Sequence, residues 1–255
     1  MNKADYPILE FDESRTALID PNNYKKPIDG LPDTCVLCFF HEVIAQVCAG
    51  KAPIAQLNSE MGKLPIYIVE DAQGAVTVAH PGLGGPMAAA ITEELIALGC
   101  RKFIACGGAG VLNSTIDVGH VVIPTAAVRD EGTSYHYLPP SREVVVRPEP
   151  IAAIEATLDQ HNIPYLKGKT WTTDAIYRET PARIAARKKE GCITVEMETA
   201  SFLAVAQFRD VIFGQILYGG DNVGDEVWDH RDWVHGHAST REKLFWLALE
   251  AVLKL

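Results

Sequence analysis

Two glutamates, Glu196 and Glu198, stand one residue apart in CITVEMETASFLAVA, a stretch with almost no other charge. Residues at i and i+2 point to different sides of a helix, so the two do not form a simple carboxylate dyad. Acids in such surroundings are costly unless hydrogen bonds meet them. Two readings are open. The pair complements the dipole at a helix N-terminus, or it binds a ligand. Asp221 poses the same question, because it closes the apolar run ILYGG. His41 and Glu42 follow the apolar run TCVLCFF, and Asp174 to Arg178 (DAIYR) follow WTT. Two glycine-rich segments, PGLGGP (81–86) and GGAG (107–110), let a backbone approach a ligand closely or merely turn tightly. Neither has the spacing of a phosphate-binding P-loop or a dinucleotide fingerprint.

The elements that position these residues alternate in type. Strand-like runs are expected at 34–40, 65–70, 75–80, 102–106, 119–128, 143–147, 164–173, 192–196 and 211–221. Helical patterns fall between them, at 87–98, 150–161, 180–191, 197–208 and 239–255, and a helix over 41–50 is open. The GGAG segment reads as a turn after the strand KFIAC. Ser239 and Glu242 have the spacing of a capping box. Strands alternating with helices imply a parallel or mixed sheet covered on both faces, and a hairpin over 65–80 makes it mixed. Ligands in such folds gather at the carboxyl ends of strands, where the residues above lie. No repeat or linker divides the chain. Residues 1–32 read as an N-terminal arm and 33–255 as a single domain.

Composition removes several classes. There are 23 Lys and Arg against 33 Asp and Glu, a formal net charge of −10. That opposes a nucleic-acid binder, which needs a basic face. It does not exclude an anionic substrate in a local pocket. No apolar run is long enough for a membrane span, and the N-terminal stretch lacks a signal peptide's apolar core, so a cytoplasmic enzyme is expected. Six cysteines are too few for a disulfide scaffold, and the lone CxxC of Cys35 and Cys38 reads as buried strand residues. The segment 222–237 is rich in Trp and His. It reads as a surface loop, as a lid, or as a metal site, although His230, His235 and His237 match no familiar ligand spacing. No metal and no cofactor are expected.

VEMETA, a later strand ending in GGD, the preceding TTDAIYR, and the segments HPGLGGP and GGAGVLNSTIDVGHVVIP together resemble the nucleoside phosphorylase superfamily. This group contains purine nucleoside phosphorylases, uridine phosphorylases and methylthioadenosine nucleosidases. The resemblance covers roughly residues 33–255. It implies a three-layer α/β/α fold with a mixed central sheet, in homo-oligomers from dimers to hexamers. By that likeness Glu198 binds the ribose hydroxyls, Met197 packs under the sugar, and Glu196 belongs to the same segment. Tyr177, Ala109 and Gly110 line the base. Asp221 matches the residue that protonates a purine leaving group, so purine is favoured over uridine and purine salvage is the expected setting.

One part of the family pattern is absent. Phosphorylases of the group carry a G-D-P-x-R turn after the first strand and R-x-G-[ST] after a later one. This chain has CFFHEV and, at the second place, Ala105, Cys106, Gly107 and Gly108. The expected activity is phosphorolysis of a nucleoside, with phosphate as possible co-substrate. The missing arginines raise two alternatives: hydrolysis, with His41 and Glu42 near the place where nucleosidases position water, or a non-catalytic ligand-binding or storage protein. Arg178 is either a replacement cation or an exposed flanking arginine.

Overall fold

A computed structural model describes residues 3–60, 62–232 and 238–255. These form a ten-stranded mixed sheet with helices on both faces, the three-layer architecture expected. The strands are β1 (Thr34–Cys38), β2 (Ala55–Ser59), β3 (Gly62–Glu70), β4 (Ala75–Ala79), β5 (Lys102–Val111), β6 (Val121–Asp130), β7 (Glu143–Val145), β8 (Tyr165–Thr173), β9 (Cys192–Glu196) and β10 (Ile212–Asn222). The helices are α1 (His41–Val47), α2 (Gly85–Leu98), α3 (Pro148–Gln160), α4 (Pro181–Lys189), α5 (Thr199–Arg209) and α6 (Ala238–Val252).

The strand β1 shows how the layers arise. Successive side chains point to opposite faces. Cys35 and Leu37 join the core under α2 and α5, with Leu95, Phe202 and Leu203. Val36 and Cys38 join the opposite core with Val43, Ile154, Phe245 and Leu249, which come from α1, α3 and α6. All six cysteines are free and buried. Among the described residues, no helix is long and apolar enough to cross a membrane.

Two features of the sheet depart from expectation. A strand, β2, precedes the hairpin and makes β2–β3–β4 a three-stranded meander. Its sequence, AQLNS, buries Leu57 and half-exposes or exposes the rest, too little for a periodic signal. The GGAG segment is no turn, because β5 runs straight through it to Val111. Its first half pairs with β1, its far end pairs antiparallel with β9 at Gly110 and Val111, and its other edge pairs with β10 throughout. Strands β5, β10, β6, β8 and β9 therefore close into a ring, from which β1, β4, β3 and β2 extend as an open sheet. Small residues at 107–110 let the strand leave one neighbour and join another. The helix α6 covers Ala238–Val252 among the described residues, so Ser239 lies within it instead of ahead of it.

Candidate active site

The closure of the ring brings three chain segments to one place. Gly110 of β5 stands between β9 and β10: a side chain built there would meet Val195 at 3.0 Å and the Asp221 Oδ1 at 3.4 Å. The Glu196–Glu198 segment leaves β9 on one side of β5, and Asp221 stands near the end of β10 on the other.

Glu196 is buried and its carboxylate is used within the protein. Its Oε2 accepts the backbone N–H of Glu198 at 2.7 Å and of Thr199 at 2.6 Å. Its Oε1 accepts the Thr172 hydroxyl at 2.6 Å. These are N–H groups at the start of α5 that have no partner inside the helix. Burial still leaves the Glu196 carboxyl above its ordinary pKa. Glu196 thus holds the strand-to-helix junction, whereas the sequence placed it among the substrate-binding residues. The dipole reading of the pair applies to this residue.

Glu198 has other surroundings. It is 5% exposed and its Oε1 accepts the Gly84 N–H at 2.6 Å. Burial, with the neighbouring Glu196 charge adding to it, pushes its pKa up to about 8, and the Gly84 N–H works against the rise. Gly84 reaches this position with φ of +79°, just before α2, a conformation costly for other residues. Beside it, Gly85 packs so closely on Ser201 that a side chain would begin 2.4 Å from the hydroxyl. The HPGLGGP segment therefore joins the start of α2 to the start of α5. Met197 is half-buried between the two glutamates.

On the other side, Asp221 Oδ2 accepts the indole N–H of Trp228 at 2.7 Å. The chain between them turns back, since Asn222 and Asp229 exchange backbone hydrogen bonds of 2.8 and 3.0 Å. Arg231 ties the same loop to the Ile116 carbonyl at 2.7 Å. Trp228 thus faces Asp221, the arrangement a lid requires. Within that loop, Trp233, His235 and His237 lie outside the described residues, and among the described residues no metal-binding cluster forms. Tyr177 is 96% exposed on a short helical turn, Ile176–Arg178, and Arg178 is exposed beside it. Glu179 follows. It is half-buried, and burial and the Asp221 charge raise its pKa to about 7.

At the end of β1 the residues pack differently. Phe39 lies over Gly107 and the Tyr218 ring over Gly108, each about a contact distance of 3.0 Å from where a side chain would begin. Ala105 is buried and Gly108 is exposed. Arg241 donates to Glu42 Oε1 at 2.8 Å and to the Tyr218 hydroxyl at 3.3 Å. Burial pushes the Glu42 carboxyl up, but the Arg241 hydrogen bond, a backbone N–H and the Arg241 and His41 charges together outweigh it and leave the pKa lowered. His41, in contrast, has a side chain 88% exposed and makes its ion pair with Glu42. His80 contacts the Phe39 carbonyl at 3.2 Å and accepts the Gly82 N–H at 3.0 Å. Burial lowers its pKa, so the ring is neutral, with its Nε2–H donating to Phe39.

A further buried network escaped the sequence reading. Glu131 accepts the Ser134 N–H at 2.9 Å and the Ser201 hydroxyl at 2.8 Å, and Arg129 donates to Ser134 and to the loop carbonyls of Leu138 and Pro139. The charged run RDEGTS directly after an apolar strand was its only signal. Asp174 caps the same turn by accepting the Gly132 N–H at 2.8 Å.

The sequence profile of the phosphorylase superfamily matches residues 33–253. A guanosine phosphorylase of Halorubrum lacusprofundi is 28% identical over 141 residues, 55% of this chain and 58% of the relative. A uridine phosphorylase of Haemophilus influenzae is 35% identical over 102 residues, 40% of each chain. The chain thus spans between two fifths and three fifths of the length of these relatives. Among solved structures, purine nucleoside phosphorylase from Toxoplasma gondii in complex with immucillin-H superimposes with a TM-score of 0.73 at 21% identity, over 88% of this chain and 90% of that one. AMP nucleosidase from Bacteroides thetaiotaomicron gives 0.70 at 22% identity, over 87% of each. With the matched profile spanning nearly the whole sheet and its helices, the chain belongs to the phosphorylase superfamily.

Proposed function

We propose that this protein cleaves the N-glycosidic bond of a nucleoside, with a purine preferred as leaving group. The observation that carries the reading is the placement of two acids on either side of β5: Glu198, buried on the Gly84 N–H, and Asp221, held by Trp228. Breaking a ribosyl C–N bond builds positive charge on the sugar and negative charge on the base. A buried carboxylate at the sugar hydroxyls opposes the first. A proton given to the base relieves the second. In this reading Glu198 and Met197 take the ribose, and Ala109, Gly110 and Tyr177 take the base. Cytoplasmic purine salvage by a homo-oligomer, dimer or hexamer, is the setting we assign.

Phosphate is the first nucleophile to consider, because relatives of this chain are named phosphorylases. Water is a second reading, and one observation favours it. Where the family's phosphorylases carry arginine and a hydroxyl, this chain has Ala105 and Gly108, with Phe39 and the Tyr218 ring packed over Gly107 and Gly108. The nearby Arg241 is engaged with Glu42 and Tyr218. A panel of purine and pyrimidine nucleosides, assayed with and without phosphate, tests both. Base release that requires phosphate and yields ribose 1-phosphate means phosphorolysis. Release of free ribose without phosphate means hydrolysis. Tight binding of a nucleoside with no release would return the protein to a binding or storage role.

A further inference from the structure

We infer that Glu131 is a positioning residue of the proposed sugar site: it ties the start of α5 to the start of α2 and so sets the Gly84 N–H on Glu198. The inference rests on the nucleoside reading given above and adds a residue that touches no substrate. Glu131 directly follows β6 and is 7% exposed. Its Oε2 accepts the Ser134 N–H at 2.9 Å and the Ser201 hydroxyl at 2.8 Å. Its Oε1 accepts the Ser134 hydroxyl. That hydroxyl oxygen accepts the Arg129 Nε–H at 2.8 Å, which leaves its own hydrogen for Glu131. Ser134 and Ser201 are fully buried.

Ser201 is the link to the site. It is the third residue of α5, and its hydroxyl stands against Gly85, the first residue of α2, so closely that no side chain fits there. Thr133, beside Ser134 on the same turn, closes the other side, 3.1 Å from where a Gly85 side chain would begin. Gly84, one residue earlier, gives its N–H to Glu198 Oε1 at 2.6 Å. The path from Glu131 to Glu198 therefore runs through Ser201, Gly85 and Gly84, each bonded to or packed on the next. The same turn also reaches the base side. Gly132 gives its N–H to Asp174 Oδ2 at 2.8 Å, and Asp174 opens the DAIYR segment that carries Tyr177.

Cohesion alone does not call for this arrangement. Burying an acid and a guanidinium is costly, and an apolar cluster would hold two helix starts together as well. Directed bonds add position. Arg129 anchors the frame in the outer loop, donating to the Pro139 carbonyl and the Ser141 hydroxyl at 2.7 Å each and to the Leu138 carbonyl at 3.2 Å. Hydrogen bonds weaken steeply outside a narrow range of distance and angle. A small slide of the α2 start against α5 therefore costs Glu198 its Gly84 donor.

Two variants test the link. Glu131→Gln keeps the shape but sets a donating amide where one oxygen accepted. Ser201→Ala removes the hydroxyl that faces Gly85 and leaves Glu131 on Ser134. Hydrogen-exchange mass spectrometry of segment 81–86 gives a readout that needs no substrate. Exchange there should be about tenfold faster in both variants, the effect of one lost hydrogen bond. On a purine riboside both should raise KM about tenfold and lower kcat by less than about threefold. Ser141→Ala breaks only the outer bond of Arg129 and should move neither readout. Unchanged exchange or an unchanged KM in Ser201→Ala overturns the inference. An equal change in Ser141→Ala also overturns it, because the loop as a whole would then have loosened. If Glu131→Gln fails to fold, Ser201→Ala decides alone. If the parent protein cleaves no riboside, the proposed function fails and exchange decides the link by itself: faster exchange in Ser201→Ala upholds the tie from Glu131 to Gly84, and unchanged exchange overturns it.

Discussion

Glu196 and Glu198 show how a two-residue separation gives two carboxyl groups different surroundings. Glu196 faces the helix start and is consumed by N–H groups and Thr172. Glu198 faces the Gly84 side, with its pKa raised to about 8 by burial and by Glu196. Folding therefore takes up a proton on Glu198 between its ordinary value, near 4.5, and about 8. Its stability contribution is present below the ordinary value and is lost as pH rises through about 8. Glu198→Gln has no charge to bury, so it should melt higher than the parent at pH 8.5, by about 2–4 °C for each kcal/mol relieved. It should lose about 100-fold or more in turnover of ribosides. Melting curves at pH 5.5 and 8.5 check the first: the gain should be much smaller at the lower pH. Substrate hydroxyls donate to the ionised form, so nucleoside affinity of the parent should tighten as pH rises toward 8. Calorimetric titration across that range measures it, and a flat profile would remove Glu198 from the sugar site.

The elements decide whether these residues meet. The β9–α5 junction depends on Thr172, whose hydroxyl donates to Glu196 and accepts the Ala200 N–H at 3.0 Å. Thr172→Val keeps the shape and leaves a buried carboxylate and a buried N–H short of a partner, at a cost of about 1–3 kcal/mol. We expect a lower melting temperature together with a riboside KM raised more than kcat is lowered, because Glu198 loses its fixed position. Chemical denaturation and steady-state kinetics on one preparation separate the two effects. The order of strands and helices was legible in the sequence, because buried strands such as CITVE and TCVLC are short apolar runs and the helices carry a stripe. The closure of β5 onto β9 was not. It is a long-range pairing, and the glycines that permit it look locally like a turn. The same limit hid part of the site. Glu198 and Asp221 stand out as acids in apolar runs, whereas Gly84 matters only through a partner distant in the chain. Trp228 shows the intermediate case: its loop was marked by composition, and only the fold points the indole at Asp221.

At the scale of the whole molecule, apolar surface bears on assembly. Leu18 and Ile19 on the N-terminal arm are almost fully exposed next to one another, and Tyr6 and Tyr24 on the same arm are also exposed. Ile176 and Tyr177 are exposed at the rim of the site. A single exposed apolar side chain is ordinary, but adjacent ones on an arm pinned to the body are a candidate contact. The arm is pinned by the Ile28 N–H on the Leu98 carbonyl at 3.0 Å, by Lys25 on Glu94 at 2.8 Å, and by Arg209 on the Arg15 carbonyl at 3.0 Å. Association would then order nothing that is loose, which keeps its entropic cost low. With a net charge of −10, two copies repel at long range, so apolar contact must outweigh that repulsion and the balance should shift with salt. We expect a homodimer or larger assembly by light scattering, more stable at 0.5 M than at 0.05 M salt. The double substitution Leu18→Asp with Ile19→Asp adds two like charges and removes the apolar pair, and it should shift the mass toward monomer. If Tyr177 finds its outer wall in the neighbouring chain, the same variant should also weaken nucleoside binding without altering the melting of the isolated chain. A parent protein that is monomeric at working concentration and fully active would end the assembly reading and leave Tyr177 as an open rim of a one-chain site.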